Sequence, residues 1–268
     1  MTVVVKKEIR ESCLLENQGQ KIFGVLHRPC GEKTAPCVVI MHGFASSKHG
    51  TNRSHVILSE KLAEQGLASL RFDFRGAGDS EGSLSDISLE DMVSDALAAL
   101  EHASQLEGID PKKIGVFGSS LGGAIAMLSS LRFERTAALA LWAPVASGEL
   151  WYRDFIAQYP EKLTEDPKEV LSHYRGVKLN PKFQEQFGRM MAAKVLENLD
   201  VPLLHMQGEK DQIVSLLHQK VYKMHSEGKN TPSRFVSYPN TDHFLGEEKV
   251  SNEVIRECIQ WFKEHLCR

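Results

Sequence analysis

Lys113-Ile114-Gly115-Val116-Phe117-Gly118-Ser119-Ser120-Leu121-Gly122-Gly123-Ala124 reads as strand, sharp turn, helix. Ile114, Val116 and Phe117 form a short apolar run of strand type. Gly118-Ser119-Ser120-Leu121-Gly122 fits the pattern G-x-S-x-G, with Ser120 at its centre. In such a turn the central residue is held in a strained conformation and its side chain stands out over the strand ends. A Cβ at the flanking positions would collide with the neighbouring strand or helix. The helix that follows aims its unbonded N–H groups and positive dipole end at the same place. A serine there has an exposed hydroxyl beside ready-made anion stabilisers.

Outward from this turn, strands and helices alternate. Two antiparallel strands are expected within residues 3–28, the first opening at Val3-Val4-Val5, with a turn at Asn17-Gln18-Gly19-Gln20. Cys37-Val38-Val39-Ile40-Met41 is continuously apolar, as a strand buried on both faces should be, and it ends at His42-Gly43-Phe44. Helical patterns follow over 54–65 and from a capping-box-like start at Ser88-Leu89-Glu90-Asp91. Further strands are read at 67–74, 136–146, 201–206 and 233–238, and the last helix at 248–266. This predicts an α/β fold with a mostly parallel central sheet and helices on both faces. Residues 148–198 break the alternation, being aromatic, charged and partly helical. They are read as an inserted cap over one end of a core made of residues 1–147 and 199–268.

In an open parallel sheet, ligands bind beyond the carboxyl ends of the strands. Four strands end there in special residues: at His42-Gly43-Phe44, at Ser120, near Asp211 and near His243. Serine is a poor nucleophile unless a base removes its proton during attack. Histidine titrates near neutrality and suits that task, so His243 is the expected base. A carboxylate fixes the imidazole tautomer and stabilises the imidazolium. Asp211 is the expected acid, with Glu209 and Asp242 as rivals; Asp242 adjoins His243, and neighbouring side chains diverge. The backbone N–H groups of Phe44 and Leu121 are the expected oxyanion hole. In the insertion, Trp151, Tyr152 and Phe155 follow a strand end closely and are expected to roof the site and bind substrate. His42 is read as a brace for its loop and His205 as a core histidine. His218 and His225, seven apart on a helix, have no partner legible in the sequence.

Composition narrows the alternatives. A net charge of −3 offers no basic field for nucleic acid. The apolar runs are too short to span a bilayer, and the first residues lack the apolar stretch of a signal peptide. Five scattered cysteines without CxxC spacing suit reduced thiols and a cytoplasmic location. Gly76, Gly78 and Gly82 do not have dinucleotide-loop spacing, and no GxxxxGK[ST] or HExxH occurs. No cofactor and no metal are therefore expected, no nucleic acid and no membrane; a homodimer is left open.

With these motifs the chain resembles the α/β-hydrolase superfamily, from about residue 20 onward. The order Ser120, Asp211, His243 is that of its triad. Arg71-Phe72-Asp73-Phe74-Arg75-Gly76-Ala77-Gly78-Asp79-Ser80 and Gly208-Glu209-Lys210-Asp211 resemble the bacterial feruloyl/cinnamoyl esterase and serine-aminopeptidase-like branch. That resemblance implies a serine carboxylesterase acting on a small-molecule ester, with a cap after the sixth core strand. One departure is Ser119, where many relatives carry His; it bears on substrate detail. A thioesterase or peptidase of the same fold is the alternative, and a non-catalytic binding protein a more distant one.

Overall fold

The computed structural model describes residues 8–31, 34–159, 172–174 and 176–267. Its first strands, β1 (Glu8–Asn17) and β2 (Gln20–Pro29), form an antiparallel hairpin. Gln18 and Gly19 both take positive φ, 52° and 76°, the two-residue turn whose twist matches the flanking strands. An opening of the first strand at Val3 lies outside the described residues. The chain then runs β3 (Ala35–Met41), α1 (Ser54–Glu64), β4 (Ala68–Phe72), α2 (Leu89–Gln105), β5 (Ile109–Ser119), α3 (Leu121–Arg132) and β6 (Thr136–Trp142). After β6 come α4 (Gly148–Gln158), a small hairpin of β7 (His173–Tyr174) and β8 (Val177–Lys178), and α5 (Pro181–Arg189). The core resumes with β9 (Leu203–Gly208), α6 (Leu216–Ser226), β10 (Ser233–Tyr238) and α7 (Glu248–Leu266).

Eight strands make one sheet in the order β1-β2-β4-β3-β5-β6-β9-β10. Only the pairings of β2 are antiparallel; from β4 to β10 the sheet is parallel. Successive strand residues face opposite sides, and both sides are covered. Val38, Ile40, Phe117, Ala138 and Ala140 pack under Leu58 and Leu62 of α1 and Val254, Cys258 and Phe262 of α7. Their neighbours Val39, Met41, Val116, Leu139 and Leu141 pack on the other face with Met92, Ala96 and Leu100 of α2 and Ile125 of α3. Gly115 is small because α7 comes close: a Cβ there would lie 2.8 Å from the ring of Phe262. The sequence places β5 from Lys113; it begins at Ile109, which pairs with Ala35 before the register shifts.

The chain leaves β3 for β4 on one side and later returns to β5 on the other. This reversal opens a crevice at the strand ends between β3 and β5, where doubly wound sheets bind ligands. Between β6 and β9, which are adjacent, the chain inserts α4, the small β7–β8 hairpin and α5; the expected cap also includes residues 160–171 and 175, which lie outside the described residues. Ser147 caps α4 by accepting from the Leu150 N–H at 3.2 Å, and Asn180 caps α5 by accepting from the Lys182 N–H at 2.9 Å. Asp154 of α4 accepts from the Ser215 N–H at 2.6 Å and lies 3.2 Å from Nε2 of buried His218, whose Nδ1 accepts from the Ala146 N–H. His218 is thus part of the anchor of α4. His225 faces Glu197 at 2.9 Å, and His205 is buried between Tyr222 and Phe235. Among the described residues, no helix is long and apolar enough to cross a membrane.

Candidate active site

Ser120 sits at φ 56°, ψ −124°, a region that L residues occupy only when their surroundings force them there. Close packing supplies the force. A Cβ on Gly118 would lie 2.5 Å from the Gly122 carbonyl, and one on Gly122 would lie 2.3 Å from the His42 carbonyl. The Ser120 N–H donates to the Trp142 carbonyl at 2.9 Å, tying the turn to the end of β6. Leu121 opens α3, so its N–H has no carbonyl one turn earlier to bond.

The loop after β3 meets this turn. A Cβ on Gly43 would come within 3.2 Å of the Ser120 Cβ. His42 is buried; its Nε2 accepts from the Phe74 N–H at 3.1 Å, so Nδ1 carries the proton and donates to the Gly43 carbonyl at 2.7 Å. That bond fixes the plane of the trans Gly43–Phe44 peptide and sends the Phe44 N–H the opposite way. Burial lowers the pKa of His42, which suits a neutral brace. Farther along the loop, Lys48 donates to buried Asp73 from its backbone N–H at 2.6 Å and from Nζ at 2.5 Å. Nζ also donates to Asp79. Burial pulls the Lys48 ammonium down, but its bonds to Asp73 and Asp79 outweigh that and leave it raised. Arg75 is held by Asp95 of α2. The glycine-rich stretch after β4 is therefore a brace for the loop that carries Phe44.

From the ends of β9 and β10 come the expected acid and base. His243 Nδ1 and Asp211 Oδ2 are 2.7 Å apart. Asp211 Oδ1 accepts from the N–H groups of Ile213 and Val214 at 2.9 and 2.8 Å, and Gln207 Nε2 donates to Oδ2 at 3.4 Å. The carboxylate is thus held in place by three donors. The His243 carbonyl accepts from the Trp142 indole N–H at 3.0 Å. The rival acids lie elsewhere: Glu209 is exposed, and Asp242 turns back to accept from the Phe244 N–H at 3.0 Å.

Ser120 and His243 line one cavity of about 170 Å³. The α4–α5 segment contributes Trp151, Leu179, Phe183, Gln184 and Phe187 to its wall. Of the three residues expected to roof the site, Trp151 does line it, while Tyr152 and Phe155 are not among its lining residues. Phe155 stacks on Trp151 at 5.5 Å between ring centres and meets Tyr159 at a tilt, 4.9 Å away, because a helix turns residues four apart onto one stripe and only part of that stripe faces inward. The aromatic lining residues that sequence reasoning did not name are on α5. Phe183 stacks on Phe44 at 4.8 Å, and Phe187 meets Trp151 edge-on at 5.4 Å. Their spacing of four was a legible signal for a helix face, but not for its direction. Ser119 also lines the cavity, its hydroxyl 3.4 Å from Nε2 of His55.

A family model described as serine aminopeptidase, S33, matches residues 32–169, just over half of the chain. The chain belongs to this family of α/β hydrolases. Among relatives, the quorum-quenching protein AidA of Acinetobacter baumannii is 32% identical over 130 residues, 48% of this chain and 41% of that protein. The chain thus spans less than half the length of AidA in this match. The uncharacterized peptidase YtmA of Bacillus subtilis is 24% identical over 252 residues, 94% of this chain and 91% of its own. Est1E from Butyrivibrio proteoclasticus, solved with ferulic acid bound, superposes with a TM-score of 0.76 at 22% identity, covering 93% of this chain and 98% of that one. This likeness establishes the α/β-hydrolase fold.

Proposed function

We propose that the chain hydrolyses carboxylic esters of small, uncharged molecules through an acyl-enzyme on Ser120. The Asp211–His243 pair, with His243 and Ser120 on one cavity, is the observation that carries this reading. With Nδ1–H donated to Asp211, the His243 Nε2 is left as a base. It takes the hydroxyl proton as Ser120 Oγ attacks the ester carbonyl carbon. The oxyanion is held by the N–H groups of Leu121 and Phe44, the second oriented by His42. Collapse breaks the bond to the alcohol, which leaves with the proton from His243. Water then attacks the acyl-enzyme, His243 takes its proton and returns it to Ser120, and the carboxylic acid departs. In the inserted segment, α4 and α5 act as the cap, excluding water through Trp151, Phe183 and Phe187.

The lining favours esters over peptides with a free amino terminus. Among the described residues it holds no carboxylate to receive an ammonium and no lysine or arginine to receive an acid. A charged substrate group would be desolvated there without a partner.

The test is Ser120→Ala on p-nitrophenyl acetate. Turnover should fall by roughly 10⁴–10⁶-fold with the circular dichroism unchanged. A serine-directed fluorophosphonate should label Ser120 and not Ser119. Retention of more than a tenth of the activity would overturn the reading.

A further inference from the structure

The cavity at Ser120 has walls from two different hydrophobic layers. Leu121, Val145, Leu179, Phe183 and Phe187 belong to the layer under α2, α3 and the cap. Leu58, Phe117, Trp142, Val254, Ile255 and Cys258 belong to the layer under α1 and α7, on the opposite face of the sheet. One cavity can draw on both only by passing over the strand ends, and Ser120 stands at that passage. Resting on the serine-esterase reading, we propose that the lobe between α1 and α7 is a pocket for an unbranched hydrocarbon chain carried by the ester.

Three observations support this occupant. All six lobe residues are more than nine-tenths buried, yet they border open space joined to the nucleophile. Between the helices the wall of Leu58, Val254, Ile255 and Cys258 is aliphatic, over Phe117 and Trp142 of the strands, whereas on the cap side Phe44, Phe183 and Phe187 are already stacked on one another. At the passage the side chains are small or neutral. The small side chain of Ser119 holds its hydroxyl 3.4 Å from Nε2 of His55, and burial lowers the pKa of His55 to about 3. Cys258 adds no thiolate, because burial pushes its pKa up. A flexible chain gains from such a surface by burying methylenes, each expected to raise kcat/KM about fourfold until the lobe is full.

The experiment uses two ester series on the full chain: p-nitrophenyl acetate to decanoate, which lengthens the acid, and methyl to octyl acetate, which lengthens the alcohol. One series should show the rise per methylene, and which one does tells whether the chain belongs to the acid or the alcohol. In that series Val254→Phe should cut the ratio of long-chain to short-chain kcat/KM at least tenfold. Leu58→Ala should move the optimum to longer chains, and it decides alone if Val254→Phe does not fold. Chain-length profiles that are flat in both series, or that the variants leave unmoved, overturn the pocket. Should Ser120→Ala show that esters are not cleaved on Ser120, the pocket is read instead from 1-octanol binding, followed by tryptophan fluorescence. Binding that Val254→Phe weakens at least tenfold supports it, and equal binding by both proteins overturns it.

Discussion

Asp211 and His243 lie far apart in the chain and 2.7 Å apart in space. The carboxylate does not reach the imidazole by chance of rotamer: two backbone N–H groups and Gln207 hold it. An amide at position 211 would keep this shape but present a donor to Nδ1, favouring the tautomer with the proton on Nε2 and removing the base. Asp211→Asn should therefore lower kcat by about 10⁴ with little change in KM. Steady-state kinetics on one ester decides it. A mild effect, with Asp242→Asn or Glu209→Gln doing greater damage, would move the acid elsewhere. The sequence left those three carboxylates as candidates because all lie within a few residues of a strand end. Only their hydrogen bonds separate them.

At the level of elements, α4 and α5 divide their aromatic residues between two tasks. Trp151 faces the cavity and meets Phe187, while Phe155 stacks behind it toward Tyr159. The two should part under mutation. Trp151→Ala should change the ranking of bulky against small esters about tenfold, since it removes wall that a small acyl group does not use. Phe155→Ala should lower Tm and leave the ranking in place, because it removes packing behind the wall. Parallel measurements of Tm and of kcat/KM for an acetate and an aryl ester check both. Equal shifts of ranking by both variants would show that Phe155 enters the site.

Across the whole molecule, buried neutral histidines set an acid limit. Burial lowers both His55 and His205 to about 3 from an ordinary 6.5. Below pH 6.5 the unfolded chain therefore takes up protons that the folded chain refuses. Stability contributed by these groups is full above 6.5 and is lost as pH falls toward 3, at about 1.4 kcal/mol per pH unit for each histidine. His205→Leu should make the stability profile shallower by about that slope between pH 5.5 and 4, whatever it costs in packing at neutral pH. Urea unfolding across that range measures it. An unchanged slope would mean that His205 titrates normally in the folded state.

Periodicity and turn chemistry are local, and they were legible. The turn around Ser120, the two-sided apolar strands, the hairpin at Gln18-Gly19 and the capping box of Ser88 with Asp91 all follow from residues within a few positions of one another. So does the order of strands along the chain, and with it the edge of the sheet where the reactive residues gather. The sequence favoured Asp211 among its rivals, and tertiary structure brought it to His243; tertiary structure alone decided that Lys48 and Asp73 brace the loop of Phe44, and that Phe183 and Phe187 line the cavity while Tyr152 and Phe155 do not. It alone joined Leu58 of α1 to Val254 and Cys258 of α7 across one lobe. A sequence states which face of each helix is apolar. The space between two such faces depends on how closely the sheet lets them approach, and small residues such as Gly115 set that distance from the strands beneath.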